Sequence, residues 1–143
     1  SVTSHVSAFQ DLMPTFAEII GLKKPEQSDG ISFLPLLLGK VQEKHEYLNW
    51  EFQLSGWFQT LPDGGFRQSV RLDKWKGVRY GINSKVELYN LNKDESETND
   101  LSEKHPEIIK RISKIFKTSR NQAPAFPYGG VEQNHISMDR YSN

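Results

Sequence analysis

The stretch FRQSVRLDKWKGVRY, residues 66–80, decides the fold class of this chain. It consists of two runs rich in aromatic and β-branched residues, and only Asp73 and Lys74 lie between them. A short polar link between two such runs is typical of a β-hairpin. We therefore predict two antiparallel strands joined by a tight turn at Asp73 and Lys74.

Similar runs flank this hairpin on both sides. HEYLNWEF, residues 45–52, precedes it, and KVELYNL, residues 85–91, follows it after a second short link at Asn83 and Ser84. Little helical patterning separates these runs. We predict that residues 45–91 form a small antiparallel, meander-like sheet of about four strands.

One connection in this sheet is longer than a plain turn. Residues 54–65, LSGWFQTLPDGG, carry Trp57 and Phe58, which a turn would not need. The two rings either pack on the edge of the sheet or contact a ligand or a partner domain.

A helix is predicted before the sheet. Asp11 is its expected N-cap and Gly21 its expected C′ residue. After a polar connection, a short apolar turn or helix closed by Gly39 forms a plug, residues 33–38, that we expect to insert into a hydrophobic surface. The apolar positions of the first helix follow helical spacing: Leu12, Met13, Phe16, Ile19 and Ile20.

A second amphipathic helix is predicted at about residues 103–119, capped by Ser102 or His105 and with Pro106 in its first turn. Its apolar stripe suits packing across one face of the sheet, so the fold class is α+β. The stripe comprises Ile108, Ile109, Ile112, Ile115 and Phe116. The opposite face is basic and is either solvated or binds phosphate or nucleic acid; it comprises Lys110, Arg111, Lys114 and Lys117.

Length and composition exclude several classes of protein. The 143 residues suffice for one domain, and Lys plus Arg equals Asp plus Glu at 18 each, so no overall field attracts nucleic acid or an anionic membrane. Cysteine is absent, which excludes disulfides and a cysteine nucleophile in this segment. No apolar run approaches the roughly 20 residues of a membrane span. The first residues, SVTSHVSAF, lack a signal-peptide pattern, so either the chain is cytosolic or its true N-terminus is missing.

The acidic stretch after the last predicted strand resembles a calcium loop at first sight. Asn90, Asn92 and Asp94 stand at alternate positions, as calcium ligands do. An EF-hand loop counted from Asn90 needs Gly at its sixth position and Glu at its twelfth, where this chain has Glu95 and Leu101. We therefore predict no metal site here, and interpret the carboxylates as a turn before the N-terminus of the second helix.

Six segments, read in order, resemble the C-terminal part of the arylsulfatase-type, formylglycine-dependent sulfatases of the alkaline-phosphatase-like superfamily. They are DLMPTFAEIIGL from Asp11, SDGISFLPLLLG from Ser28, YLNWEF from Tyr47, FRQSVRLDKWKGVR from Phe66, VELYNLNKDESETNDLSEKHPE from Val86 and APAFPYG from Ala123. The departures from the family pattern fall at turn positions, namely Asn90, Glu95 and Asp100.

The resemblance implies a parent enzyme that hydrolyses aryl or carbohydrate sulfates with calcium and a formylglycine, both held by an upstream α/β domain. No S-x-P-x-R motif occurs in this sequence, so we expect no catalytic residue, metal ligand or cofactor in this chain, which is inactive alone. The implied organisation is the end of the catalytic domain at residues 1–44, the α+β subdomain at 45–120, and an extended or disordered tail at 121–143.

In the family the small sheet borders the substrate cleft, which implies substrate-binding roles for residues in or beside the 54–65 loop. These candidates are Trp57, Phe58, Gln59 and Arg67. Aromatic rings suit stacking on a sugar or aryl ring, and an arginine suits a carboxylate or a second sulfate. We interpret the other family positions as sheet packing and domain contact, namely Trp50, Arg71, Trp75, Lys76 and Arg79.

The expected partners are the chain's own N-terminal catalytic domain and a sulfated small molecule or glycan. Without that domain, residues 11–39 expose apolar surface, and we expect self-association through them. Two alternatives stay open: a free-standing module that binds carbohydrate or sulfated glycan, and a nucleic-acid binder that uses the basic helix face, for which zero net charge is poor support. Enzymes of this type are commonly exported, periplasmic or secreted in bacteria, but the sequence itself does not identify the compartment.

Overall fold

The computed structural model describes residues 2–53 and 65–121. The chain divides into two compact units, Ser1–Leu48 and Asn49–Asn143. Helices α1 (Leu12–Ile19) and α2 (Leu34–Leu37) belong to the first unit. Strands β1 (Leu48–Gln53), β2 (Phe66–Leu72), β3 (Trp75–Tyr80) and β4 (Glu87–Asn90) and helix α3 (Pro106–Thr118) follow, with short 3-10 turns at Phe9–Asp11 and Ser102–Lys104.

The four strands form one sheet in the order β1, β2, β3, β4. Strand β2 pairs antiparallel with β3, from Arg67 opposite Tyr80 to Leu72 opposite Trp75, and β3 pairs antiparallel with β4. Asp73 adopts a φ of 53° in the turn between β2 and β3. A positive φ in a two-residue link matches the twist of a hairpin, so the hairpin prediction is confirmed.

Helix α3 packs on one face of the sheet. The side chains of Ile112 and Phe116 are completely buried, and so is Val70 of β2. At Gly77 of β3, a Cβ atom would lie 2.8 Å from the Cδ1 of Ile112, so the helix approaches the strand more closely than any larger residue allows. The predicted α+β fold, with a four-stranded antiparallel sheet against the C-terminal helix, is confirmed.

Helix α3 is shorter than the sequence predicts. It begins at Pro106, which lacks an N–H and so fits the first helical position. Of the two predicted caps, His105 is the N-cap residue, but it makes no side-chain capping hydrogen bond, and its ring packs on Trp75 with the centroids 4.6 Å apart. Ser102 instead donates from Oγ to Asp100 at 3.0 Å.

The ends of strands β1 and β4 also differ from the prediction. Strand β1 begins at Leu48, whereas the pattern begins at His45. Between β3 and β4 the link extends over residues 81–86 and includes Gly81 at a φ of 101°, so Asn83 and Ser84 are part of a longer loop.

In the first unit, Gly21 follows α1 as its C′ residue, as predicted. Gly21 has a φ of 74°, its N–H binds the carbonyl of Glu18, and the N–H of Leu22 binds the carbonyl of Ala17 at 2.8 Å. These two bonds are those of a Schellman motif, which satisfies carbonyls at the helix end.

The inward face of α1 carries small residues and its outward face large ones. Pro14, Thr15 and Ala17 are buried. Phe16 is 57% exposed and Ile20 69% exposed, and the side chains of Met13, Ile19, Leu37 and Leu38 are exposed as well. The first unit therefore exposes a set of large apolar side chains, which we call the α1 face: Met13, Phe16, Ile19, Ile20, Leu37 and Leu38. No helix in the described ranges is long and apolar enough to cross a membrane.

Candidate functional site

Asp11 and Thr15 hold the segment that precedes α2. The buried Asp11 carboxylate accepts hydrogen bonds from the N–H of Ala8 at 2.7 Å and of Ile31 at 2.8 Å. Thr15 donates from Oγ1 to the carbonyl of Asp11 at 2.6 Å and accepts from the N–H of Phe33 at 3.0 Å. The D-L-x-P-T segment is therefore a structural clamp. Asp11 is the N-cap residue of α1, as predicted, but its side chain makes no capping hydrogen bond.

His45 completes this clamp. Its Nε2 lies 2.8 Å from Oδ1 of Asp11, and its side chain is largely buried. Burial by itself raises the pKa of Asp11, but the N–H groups of Ala8 and Ile31 and the contact with His45 outweigh burial and hold this pKa below its ordinary value. The carboxylate is thus committed to protein partners and is not available as a general acid.

A second polar network lies between the sheet and α3 and joins three further motif residues: Glu51, Gln68 and Arg79. Gln68 donates from Nε2 to Glu51, and Arg79 donates from Nε to Oε1 of Gln68 at 2.5 Å. Arg79 also lies 4.8 Å from the centre of the Phe116 ring, and Arg120 forms an ion pair with Glu51 at 2.9 Å. The W-E-F, Q-x-V-R and W-K-x-x-R segments therefore meet through their polar residues and join β1, β2 and β3.

The acidic turn after β4 uses its carboxylates to bind backbone. Asp94 accepts from the N–H groups of Asn99 at 2.9 Å and Thr98 at 3.0 Å, and these bonds lower its pKa. Asp100 accepts from Leu88 at 2.9 Å and Ser102 at 2.8 Å; burial raises its pKa, but these bonds outweigh burial and lower it. Within residues 2–53 and 65–121, no group of three or more His, Asp or Glu side chains could hold a metal ion.

The predicted substrate-binding residues fall in two places. Trp57, Phe58 and Gln59 lie outside the described residues. Arg67 lies on β2 opposite Tyr80, its guanidinium carbon 4.9 Å from the centre of the Tyr80 ring, and its Nη1 donates to the carbonyl of Phe66. Its role in substrate binding stays a prediction.

A groove that the sequence did not indicate lies on the sheet face opposite α3. We call it the open-face groove, and its volume is about 700 Å³. It is lined by Trp50, Ser69, Arg71, Lys76, Leu91, Asn92, Glu95 and Glu97. Ser69 and Arg71 alternate along β2 with buried residues that face α3, and Arg71 is directly opposite Lys76. This alternation is the signal in the sequence that identifies the face.

The five family positions that we interpreted as packing residues therefore divide between the two faces. Trp75 packs on His105, and Arg79 is buried against Phe116. By contrast, Trp50 is 42% exposed. Trp50, Arg71 and Lys76 all line the open-face groove.

Most of the chain is similar in sequence to known proteins. The sequence profile of the family described as N-sulphoglucosamine sulphohydrolase, C-terminal, matches residues 2–122. The Delta 4,5-hexuronate-2-O-sulfatase of Bacteroides thetaiotaomicron is 32% identical over 104 residues, which are 72% of this chain and 21% of that protein. Human arylsulfatase K is 26% identical over 111 residues, which are 73% of this chain and 20% of that protein.

The fold has matches among solved structures as well. A 2-O GAG sulfatase superposes with a TM-score of 0.65 and 25% sequence identity, over 76% of this chain and 23% of that structure. The chain thus spans about a fifth of the length of the curated relatives to which it is similar.

Proposed function

Because this chain belongs to the N-sulphoglucosamine sulphohydrolase C-terminal family, whose profile matches residues 2–122, we propose that it is the C-terminal part of a longer enzyme that hydrolyses sulfate esters. That match is the observation that carries the proposal. It spans the Asp11 clamp, the Glu51, Gln68 and Arg79 network and the acidic turn, so the residues that build both units lie within it.

The proposed substrate is a carbohydrate sulfate. Support comes from the relatives, one of which is named a hexuronate-2-O-sulfatase and one a 2-O GAG sulfatase. A sulfated sugar chain has ring faces, hydroxyls and anionic groups, and an aromatic and arginine-containing surface complements all three.

We propose that formylglycine and calcium are supplied by other parts of the longer protein. This chain contains no cysteine and no S-x-P-x-R segment from which a formylglycine would form. Its described carboxylates do not fit a calcium ion, because Asp94 and Asp100 already accept several backbone hydrogen bonds each.

The proposed contribution of this chain is to complete the fold of the enzyme and to border its substrate cleft. We propose that residues 1–44 end the catalytic domain and that 45–120 form the C-terminal subdomain; all but the first residue of the predicted tail, 121–143, lie outside the described residues. The α1 face would contact the rest of the catalytic domain, because six exposed large apolar side chains in one small unit favour burial against a partner.

The test is to express the longer protein and measure release of inorganic sulfate. Two substrates suit the proposal: an unsaturated 2-O-sulfated uronate disaccharide and 4-nitrocatechol sulfate. We expect the longer protein to release sulfate from at least one of them, and the 143-residue chain to release none from either. A longer protein without a C/S-x-P-x-R motif, inactive on both esters, would contradict the proposal.

A further inference from the structure

The open-face groove combines an exposed aromatic ring and an arginine in one cavity. We propose that it is a carbohydrate subsite that binds one sugar unit of the glycan, with the ring stacked on Trp50 and an acidic substituent on Arg71. This inference rests on the proposed function, since it names where this chain would hold the carbohydrate part of the substrate. The volume of about 700 Å³ is within the range of small-molecule sites and exceeds what one sugar unit needs.

Trp50 provides the stacking surface. It lies on β1 and lines the groove, and it leaves 42% of its surface exposed. By contrast, the ring of Trp75 packs against the ring of His105. An exposed indole at a cavity offers a flat apolar face of the kind on which sugar rings stack.

Arg71 provides the cation. Its Nε donates to the carbonyl of Asp73 at 3.0 Å, which fixes the plane of the guanidinium group. Within the described part of the chain, no carboxylate lies within ion-pair distance of Arg71, whereas the neighbouring Lys76 is paired with Glu97 at 2.5 Å. The terminal nitrogens of Arg71 can therefore bind a carboxylate or sulfate in the bidentate manner that arginine favours.

The remaining lining groups suit hydroxyls. Ser69 also lines the groove, and its buried Oγ has no hydrogen-bond partner among the described residues. Asn92 and Glu95 are exposed at the groove and offer an amide and a carboxylate. Because Glu95 repels a second anion, the groove favours a hydroxyl-rich sugar with one acidic group over a densely sulfated segment.

The test is a binding titration of the 143-residue chain, which requires no turnover. The probe is an unsaturated 2-O-sulfated uronate disaccharide, followed by the indole N–H signal of Trp50 and the backbone amides of β2 and β3 in NMR spectra. We expect binding in the millimolar range. Arg71→Gln should weaken binding by about tenfold, because a charge-assisted pair is lost. Trp50→Ala should weaken it by about fivefold, because the stacking surface is removed.

Lys110→Gln is the matched control, since it removes the same charge from an exposed position on α3. It should leave the dissociation constant within about twofold, as expected of a distant surface charge. Arg71→Lys keeps the positive charge but loses the planar guanidinium group, so it should bind the disaccharide with intermediate strength. It replaces Arg71→Gln in this comparison if that variant does not fold.

Three results would overturn the proposal. One is an absence of shifts at Trp50 and Arg71 at saturating disaccharide. The second is equal weakening by Arg71→Gln and Lys110→Gln, which indicates general attraction of an anion. The third is a longer protein in which Trp50 is buried by the rest of the chain, because the groove is then a domain interface. An inactive longer protein would contradict the proposed function but would leave this binding unaffected.

Discussion

Arg79 donates a hydrogen bond from Nε to Oε1 of Gln68 at 2.5 Å, and both side chains are buried between the sheet and α3. Gln68 in turn donates to Glu51, so one neutral amide links a buried cation on β3 to a carboxylate on β1. Glu51 is also paired with Arg120 just after α3. The sheet and the C-terminal helix thus share one polar network as well as an apolar core.

Replacing Gln68 with leucine should destabilise the second unit. The substitution leaves Glu51 and Arg79 buried without their shared partner, which should lower the free energy of unfolding by about 2–4 kcal/mol. Urea denaturation followed by tryptophan fluorescence measures the change. Asn83→Ala, at an exposed position in the β3–β4 loop, should shift it by less than about 0.5 kcal/mol. Equal midpoints for both variants would argue against a stabilising network.

Gly77→Ala should strain the contact between β3 and α3. The added methyl group would lie 2.8 Å from two carbons of Ile112, and overpacking of this kind costs about 1–3 kcal/mol. The double variant with Ile112→Ala should be destabilised by less than the sum of the two single changes, by about 1 kcal/mol. Strict additivity in chemical denaturation would show that the two positions do not press on each other.

The Asp11 clamp should make the first unit sensitive to acid. The folded-state pKa of Asp11 lies below its ordinary value of 3.8. Since the folded pKa is depressed, the stabilisation is fully present above the unfolded value and is lost as the pH falls through the folded value. The amide signals of Ala8 and Ile31 in NMR spectra, followed from about pH 6 to about pH 2, should shift together as the clamp opens.

Asp11→Asn supplies the comparison for that titration. It should remove the acid transition at Ala8 and Ile31 and weaken the first unit at neutral pH, because the amide cannot accept as many hydrogen bonds as the carboxylate. An unchanged transition in this variant would assign the acid sensitivity to another group.

The α1 face should drive association of the 143-residue chain. Phe16 and Ile20 are four residues apart and exposed on one side of α1, so Phe16→Lys with Ile20→Lys should disrupt the apolar surface without unpacking the helix. Sedimentation velocity should show the variant shifted toward the 16.5 kDa monomer. Glu18→Lys, on the same helix, changes charge but removes no apolar surface and should associate like the wild-type chain. A wild-type chain that is monomeric at all concentrations would contradict the prediction.

Local patterns predicted the elements that local chemistry controls. The hairpin could be predicted because only Asp73 and Lys74 separate the two paired strands. The end of α1 could be predicted because a C′ residue adopts a positive φ, which Gly21 does. Of the two predicted caps of α3, Ser102 is wrong, and His105 is the N-cap residue but makes no side-chain capping hydrogen bond. In the folded chain Ser102 binds Asp100 and His105 packs on Trp75, and neither partner is visible in the helix pattern.

The sequence by itself determined the α+β class, the sheet and its closing helix, and the resemblance to sulfatases, because these depend on residue order and spacing. Only the tertiary structure decided what the polar motif residues do. Arg79 became part of a buried network, whereas Arg71, eight positions earlier in the same kind of motif, lines an open groove. The difference depends on which sheet face α3 covers, and that is decided by long-range packing of Ile112 against Gly77.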